Sequence, residues 1–243
     1  MRLRHHDIDT VRGAALVSMI AYHGCWDLVY LCGFDWPWYR SFGAYLWQQS
    51  ICWTFILLSG YCFYLGRRPF RRGLVTFAAG ALVSVVTAVA LPEDPVVCGV
   101  LTFLGLAAMV TVPVKEAFRR IPPRLGLVLS FGGFLAFRDV NEGFLGFEGL
   151  RFASVPQGTN LLTTVLGFPE PHFHSSDYFS LLPWIFLFWT GLFLSRLRPE
   201  REDLLTRPVP VVTAMGRRSL LVYLAHQPLL YALLPLVERM MER

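Results

Sequence analysis

Seven apolar stretches, near residues 10–32, 45–65, 73–91, 96–114, 124–138, 178–196 and 211–235, alternate with short connections rich in charge, proline or glycine. Most match the length at which an α-helix crosses the hydrocarbon core of a bilayer. The pattern predicts an all-α fold, a polytopic transmembrane helical bundle of about seven spans, in a single domain covering residues 1–243. The fifth stretch is the shortest. Its run from Leu125 to Phe137 contains Gly126, Gly132 and Gly133, so it tilts, buries itself among its neighbours or extends through Pro122 and Pro123.

Composition agrees with that pattern: 54% of residues are hydrophobic and only 16% charged, which argues for an integral membrane protein and against a soluble enzyme. The Lys and Arg residues then set an orientation, because cytoplasmic loops retain them. One side collects Arg2, Arg4 and Arg12, then Arg67, Arg68, Arg71 and Arg72, then Lys115, Arg119, Arg120 and Arg124, then Arg196, Arg198, Arg201, Arg207, Arg217 and Arg218. The other holds Arg40, Arg138, Arg151, Arg239 and Arg243, a split of 17 against 5. The N-terminus is expected in the cytoplasm and the C-terminus outside. The net charge of +5 reflects this topology, so nucleic acid is not expected as a partner and the lipid bilayer is. Asp7, Asp9, His23 and Asp27 interrupt what would otherwise resemble a signal peptide, and an uncleaved first helix is expected. Trp36, Trp38 and Trp184 fall near predicted outer boundaries, where interfacial anchors sit.

Ionisable groups inside an apolar helix are costly and usually functional. The first stretch carries Arg12, His23 and Asp27, with Asp9 three positions before Arg12. Eleven residues of helix separate Arg12 from His23 by about 16 Å, nearly on one face. His23 is a candidate base, since a neutral imidazole titrates near physiological pH, and Asp27 at i+4 is spaced to orient it. A helix-packing ion pair or a polar link to a neighbouring helix is the structural alternative. Arg12 near the cytoplasmic boundary is placed either to hold a phosphate, with Asp9 fixing its rotamer, or to anchor the helix.

His226 follows Arg218 by eight residues, about 12 Å into the membrane from the same side. The two histidines are therefore expected at similar depth. Pro228 frees a backbone carbonyl near Leu224, tolerable where the region is buried in protein or lines water. Asp177 opens the sixth stretch, either as a helix N-cap or as a contact for an acceptor. The connection from Asp139 to Ser176 is the longest on the outer side and suits a lid or an acceptor-binding surface. Of the basic residues at 67–72, Arg72 is a candidate phosphate contact; attraction to anionic lipid explains the same cluster without a ligand. Cys25, Cys32, Cys52, Cys62 and Cys98 form no C-x-x-C pair, so free thiols and no metal are expected.

The segment Asp9-Thr-Val-Arg-Gly-Ala-Ala-Leu-Val-Ser-Met-Ile-Ala-Tyr-His-Gly-Cys-Trp-Asp27 resembles the first helix of the bacterial heparan-α-glucosaminide N-acetyltransferase catalytic-domain family. Ser176-Asp-Tyr-Phe-Ser-Leu-Leu-Pro-Trp184 is similar to the start of that family's penultimate helix, and Gly216-Arg-Arg-Ser-Leu-Leu-Val-Tyr-Leu-Ala-His-Gln-Pro228 to its final helix. The Arg12 to His23 spacing also resembles the acyltransferase-3 motif. The resemblance implies acyl transfer, with acetyl-CoA as donor, no metal, and a sugar or glycan as the acceptor partner. It favours catalytic roles for His23 (base or acyl carrier) and Asp27 and donor binding by Arg12, with Asp9, and Arg72; His226, with a satisfied core histidine as its alternative, and Asp177 join the catalytic candidates on their positions. A bacterial inner membrane is the implied location. The loop from Gly33 to Phe42 has no histidine, so the acceptor chemistry of the lumenal enzymes does not carry over. The competing readings are a multi-pass transporter or lipid-handling protein, in which the same polar residues form a substrate or proton path, and a scaffold that has lost catalysis.

Overall fold

The computed structural model describes residues 6–197 and 208–241. Arg2, Arg4, His5, Arg198, Arg201, Arg207 and Arg243 lie outside the described residues. The described chain is mostly helical, with nine α-helices and one antiparallel pair of strands. It divides into two compact units, residues 1–55 with 200–243, and residues 56–199.

The first unit is built on α1 (His6–Tyr30), which packs against α8 (Pro210–Arg217) and α9 (Ser219–Met241). The division between units falls within α2 (Phe42–Tyr61), after Phe55. Leu16 and Met19, one turn apart on α1, form a buried cluster with Ile51, over which Trp47, Met215, Val222 and Tyr223 close. The Trp47 indole donates to Ser18 Oγ at 2.8 Å. Trp36 and Trp38 stack at 5.9 Å beside the 3-10 turn Pro37–Arg40, and the Tyr39 hydroxyl donates to the Tyr22 carbonyl. This ties the loop after α1 back onto the helix that carries His23.

α1 and α8 approach backbone to backbone. A Cβ on Gly13 would overlap the Val212 carbonyl, and a Cβ on Gly216 the Asp9 carbonyl. Small residues permit such close crossings, and Thr10 Oγ1 bonds Thr213 Oγ1 across the seam at 2.7 Å. The expected span 211–235 is therefore corrected. It breaks at Arg218 into α8 and α9, because Gly216 and Arg217 end the first helix while α8 lies along α1.

The second unit pairs α3 (Pro69–Ala90) with α4 (Val100–Arg120), and α5 (Pro123–Phe137) with α7 (Leu181–Ser195). α3 and α4 are long and apolar enough to cross a membrane. Along α3, Leu82, Val85 and Val89 are 58%, 63% and 80% exposed, an apolar surface that a soluble core helix would bury. α7 occupies most of the stretch expected as a span over 178–196. It has 15 residues and buries Trp184, Ile185, Leu187, Phe188, Leu192 and Phe193, as a helix apolar on all sides does when it forms the centre of its unit. Trp184 is 6% exposed beneath the Arg138 guanidinium, so it is a core residue and not an interfacial anchor.

The all-α expectation meets its exception in the long outer connection. β1 (Phe144–Phe147) and β2 (Leu150–Ser154) form a hairpin, and α6 (Leu161–Leu166) follows. Glu148 and Gly149 join the strands with φ of 49° and 90°, the pair of positive values a two-residue type I′ turn demands. Asp139 anchors the turn by accepting from the Gly149 N–H at 2.8 Å.

Candidate active site

Two polar clusters lie along α1 within the first unit. Near the helix start, Asp9 stands between two arginines: its Oδ1 lies 3.3 Å from Arg12 Nη1 and its Oδ2 3.5 Å from Arg217 Nε. Arg12 Nη1 also reaches the Gly216 carbonyl at 3.5 Å. The approach at Gly13 and Gly216 thus brings α8 close enough for one carboxylate to hold a guanidinium from each helix. Arg12 and Asp9 keep 20% and 18% side-chain exposure.

Three turns along α1, His23 meets His226 of α9. Their ring centroids are 5.1 Å apart at an interplanar angle of 61°. Tyr22 and Tyr223 flank the pair, at 6.1 Å from His23 and 5.3 Å from His226. His226 is 7% exposed and its Nδ1 is hydrogen-bonded to the Tyr223 carbonyl. A carbonyl only accepts, so Nδ1 carries the proton and the neutral ring turns its lone pair out at Nε2. That Nε2 is buried without a partner among the described residues. His23 is half-buried, and among the described residues no hydrogen bond fixes its tautomer.

Asp27, at 1% exposure, was expected to orient His23. Its carboxylate instead accepts from Gln227 Nε2, at 3.0 Å to Oδ1 and 3.3 Å to Oδ2. The i, i+4 spacing allows a contact with His23 on α1, but Gln227 brings an N–H donor directly to the buried carboxylate, which as an ion can only accept. Sequence reasoning gave Gln227 no role. Its position beside His226 in the His-Gln-Pro run was the one available signal.

The remaining candidates lie in the second unit. Asp177 is not an N-cap of α7, whose first residue is four positions on; its Oδ2 accepts from the N–H of Val100, the first residue of α4, at 3.0 Å. Burial pushes its carboxyl up from the ordinary range, against the pull of that N–H. The native state therefore holds the Asp177 proton at pH values where the unfolded chain has released it, and stability falls as pH rises from about 4 through that window. Asp177→Asn keeps an acceptor for Val100 and removes the ionisation. The expected result is a melting temperature that declines less between about pH 4 and neutrality than in wild type, read by thermal unfolding across that range. Ser175 and Ser176 brace the same loop on the Val97 and Asp94 carbonyls, while Ser180 and Asn141 bond each other. Arg72 is exposed in the first turn of α3 with its guanidinium over Gly66. All five cysteines are free thiols.

The first unit thus sets one carboxylate between two arginines and two imidazoles against each other, and family membership bears on what they do. No curated protein and no solved structure matches the chain. The model of the family described as heparan-alpha-glucosaminide N-acetyltransferase, catalytic, matches residues 4–228, nearly the whole chain, and the chain belongs to that family.

Proposed function

We propose that this protein is a membrane-embedded acyltransferase that takes acetyl from cytoplasmic acetyl-CoA and passes it to a sugar, glycan or other extracytoplasmic acceptor. The observation that carries the proposal is the meeting of two imidazoles from α1 and α9, one with its tautomer set and its Nε2 lone pair buried without a partner among the described residues. Acyl transfer from a thioester needs a base for the attacking group, stabilisation of the oxyanion and positive charge for the CoA phosphates. His226 Nε2 is the base in this reading. It receives the proton of the attacking hydroxyl or amine and returns it to the departing sulfur. His23 stands against it as a second proton-bearing group or as a transient acyl carrier. Arg12, held by Asp9, receives a CoA phosphate three helical turns away, a separation that a pantetheine arm bridges. Arg72 is a further phosphate contact on the strength of its sequence position. Asp177, already engaged at the start of α4, stays outside the proton path.

The membrane arrangement belongs to the same proposal: about seven crossings, the N-terminus inside, and residence in a bacterial inner membrane. It is supported by the charge split, the exposed apolar side of α3 and the family. Purified protein in proteoliposomes, given acetyl-labelled acetyl-CoA and a panel of amino sugars and sugars, is expected to release CoA and label an acceptor. CoA release with none of the panel, by folded protein, overturns the reading in favour of transport.

A further inference from the structure

Two hydrogen-bond acceptors on consecutive residues of α9, His226 Nε2 and Gln227 Oε1, are buried without a partner among the described residues. Native proteins seldom leave such atoms unmet, because desolvating them without a donor is costly. Both residues address α1. The His226 ring meets His23, the Gln227 amide meets Asp27, and His23 and Asp27 lie one turn apart on the same face of α1.

The same device sets each side chain. A carboxylate cannot donate, so the end of the Gln227 amide that faces Asp27 is Nε2, and the carbonyl end is turned away from it. A backbone carbonyl cannot donate either, so the His226 nitrogen facing Tyr223 is the protonated one. Asp27 thus does for the amide flip what the Tyr223 carbonyl does for the tautomer. Each fixed acceptor leaves another acceptor unmet among the described residues, and a ligand that satisfies both must bring two N–H or O–H groups.

We infer that, in the acyl transfer proposed above, on which this rests, His226 Nε2 takes the proton of the attacking group while Gln227 Oε1 holds a second N–H or O–H of the same acceptor. Asp27 acts through Gln227, as a positioning residue, and not on His23. As the new C–N or C–O bond forms at the thioester carbonyl, the attacking atom loses its proton to Nε2. The C–S bond then breaks with its electron pair going to sulfur, and the imidazolium protonates the sulfur to give the CoA thiol. Gln227 undergoes no bond change; it orients the attacking lone pair by holding the neighbouring hydrogen. Acceptors with a single donor at the reacting end are selected against.

The test uses the full-length protein with acetyl-CoA and two small probe acceptors, methoxyamine and N,O-dimethylhydroxylamine, which have no O–H and carry two N–H groups and one respectively. Gln227→Met keeps the side-chain length and removes both polar ends. Its expected effect is a KM for methoxyamine about tenfold higher, a KM for acetyl-CoA changed less than about twofold, and a smaller preference for methoxyamine over the N-methyl compound. Asp27→Asn is nearly isosteric but lets the amide turn over, and it is expected to raise the same KM severalfold. In the Gln227→Met background it is expected to add nothing, since residues acting as one unit are not additive. Equal losses for both probes, equal shifts in both KM values, or additive effects of the two substitutions would overturn the inference and leave a helix clamp. A wild-type protein that transfers acetyl to neither probe nor to any sugar overturns the functional reading itself, whereas transfer by wild type with an unaltered probe preference in Gln227→Met overturns only the role of Gln227.

Discussion

Replacing His226 with glutamine is expected to lower acetyl transfer by about two to four orders of magnitude, the contribution of a positioned general base. Glutamine keeps a polar side chain of similar reach and so preserves much of the packing against Tyr223 and His23, but it has no lone pair able to take a proton at neutral pH. The loss should fall on the chemical step: single-turnover rates collapse while the KM for acetyl-CoA stays near its wild-type value. A variant whose rate falls only because acetyl-CoA no longer binds would place His226 in the donor site instead. The hydrogen bond to Tyr223 commits Nδ1 and leaves Nε2 as the sole basic atom of a residue that is 7% exposed.

The second large effect is structural. Gly216→Val is expected to destabilise the protein by about 3 kcal/mol and to remove any acetyl-CoA binding, because even the first carbon of a side chain collides with the Asp9 carbonyl and comes within 2.9 Å of the Gly13 nitrogen. Backbone cannot rotate out of the way as a side chain can. α8 must therefore withdraw from α1, taking the Gly216 carbonyl from Arg12 and Arg217 from Asp9. Gly132 supplies the contrast. A Cβ there meets nothing within 4 Å, so Gly132→Ala is expected to be neutral or slightly stabilising through helix propensity. Thermal unfolding of the two variants side by side separates a contact glycine from an incidental one; similar losses at both sites would contradict the account of the α1 and α8 crossing.

What could be read from the sequence divides along physical lines. Apolar runs located α3 and α4 well, because an unbroken apolar segment bounded by proline or arginine has few alternatives to a helix. The depth argument from Arg12 and Arg218 put His23 and His226 at one level, and the rings do meet, since helical rise is a fixed quantity. Partner choice within that level was not legible. Spacing on one helix allowed Asp27 to face His23, but the donor that claims it, Gln227, lies 200 positions away. The break at Arg218 lies inside the stretch 211–235, where Gly216, Arg217 and Arg218 interrupt the apolar run and signal that the chain changes direction. Hydropathy likewise cannot tell a lipid-facing helix from one at the centre of its own unit, which is why Trp184 is buried where an interfacial tryptophan was expected. The hairpin was missed for a different reason: its strands have four and five residues, and its signal is Glu148-Gly149 between short apolar runs, visible only to a search for turns.

The central claim is that the polar edge at Arg12 and Asp9 admits the acyl donor to a site containing the two histidines. Thermal stabilisation of the detergent-purified protein by acetyl-CoA, wild type against Arg12→Ala, tests it without knowledge of the acceptor. The account predicts saturable stabilisation of the wild type, about 2.7 kcal/mol at a hundredfold excess over Kd, and its loss in Arg12→Ala with the unliganded melting temperature little changed. Folded wild-type protein that no acyl-CoA stabilises would contradict the account and move the polar stripe of α1 to a transport path.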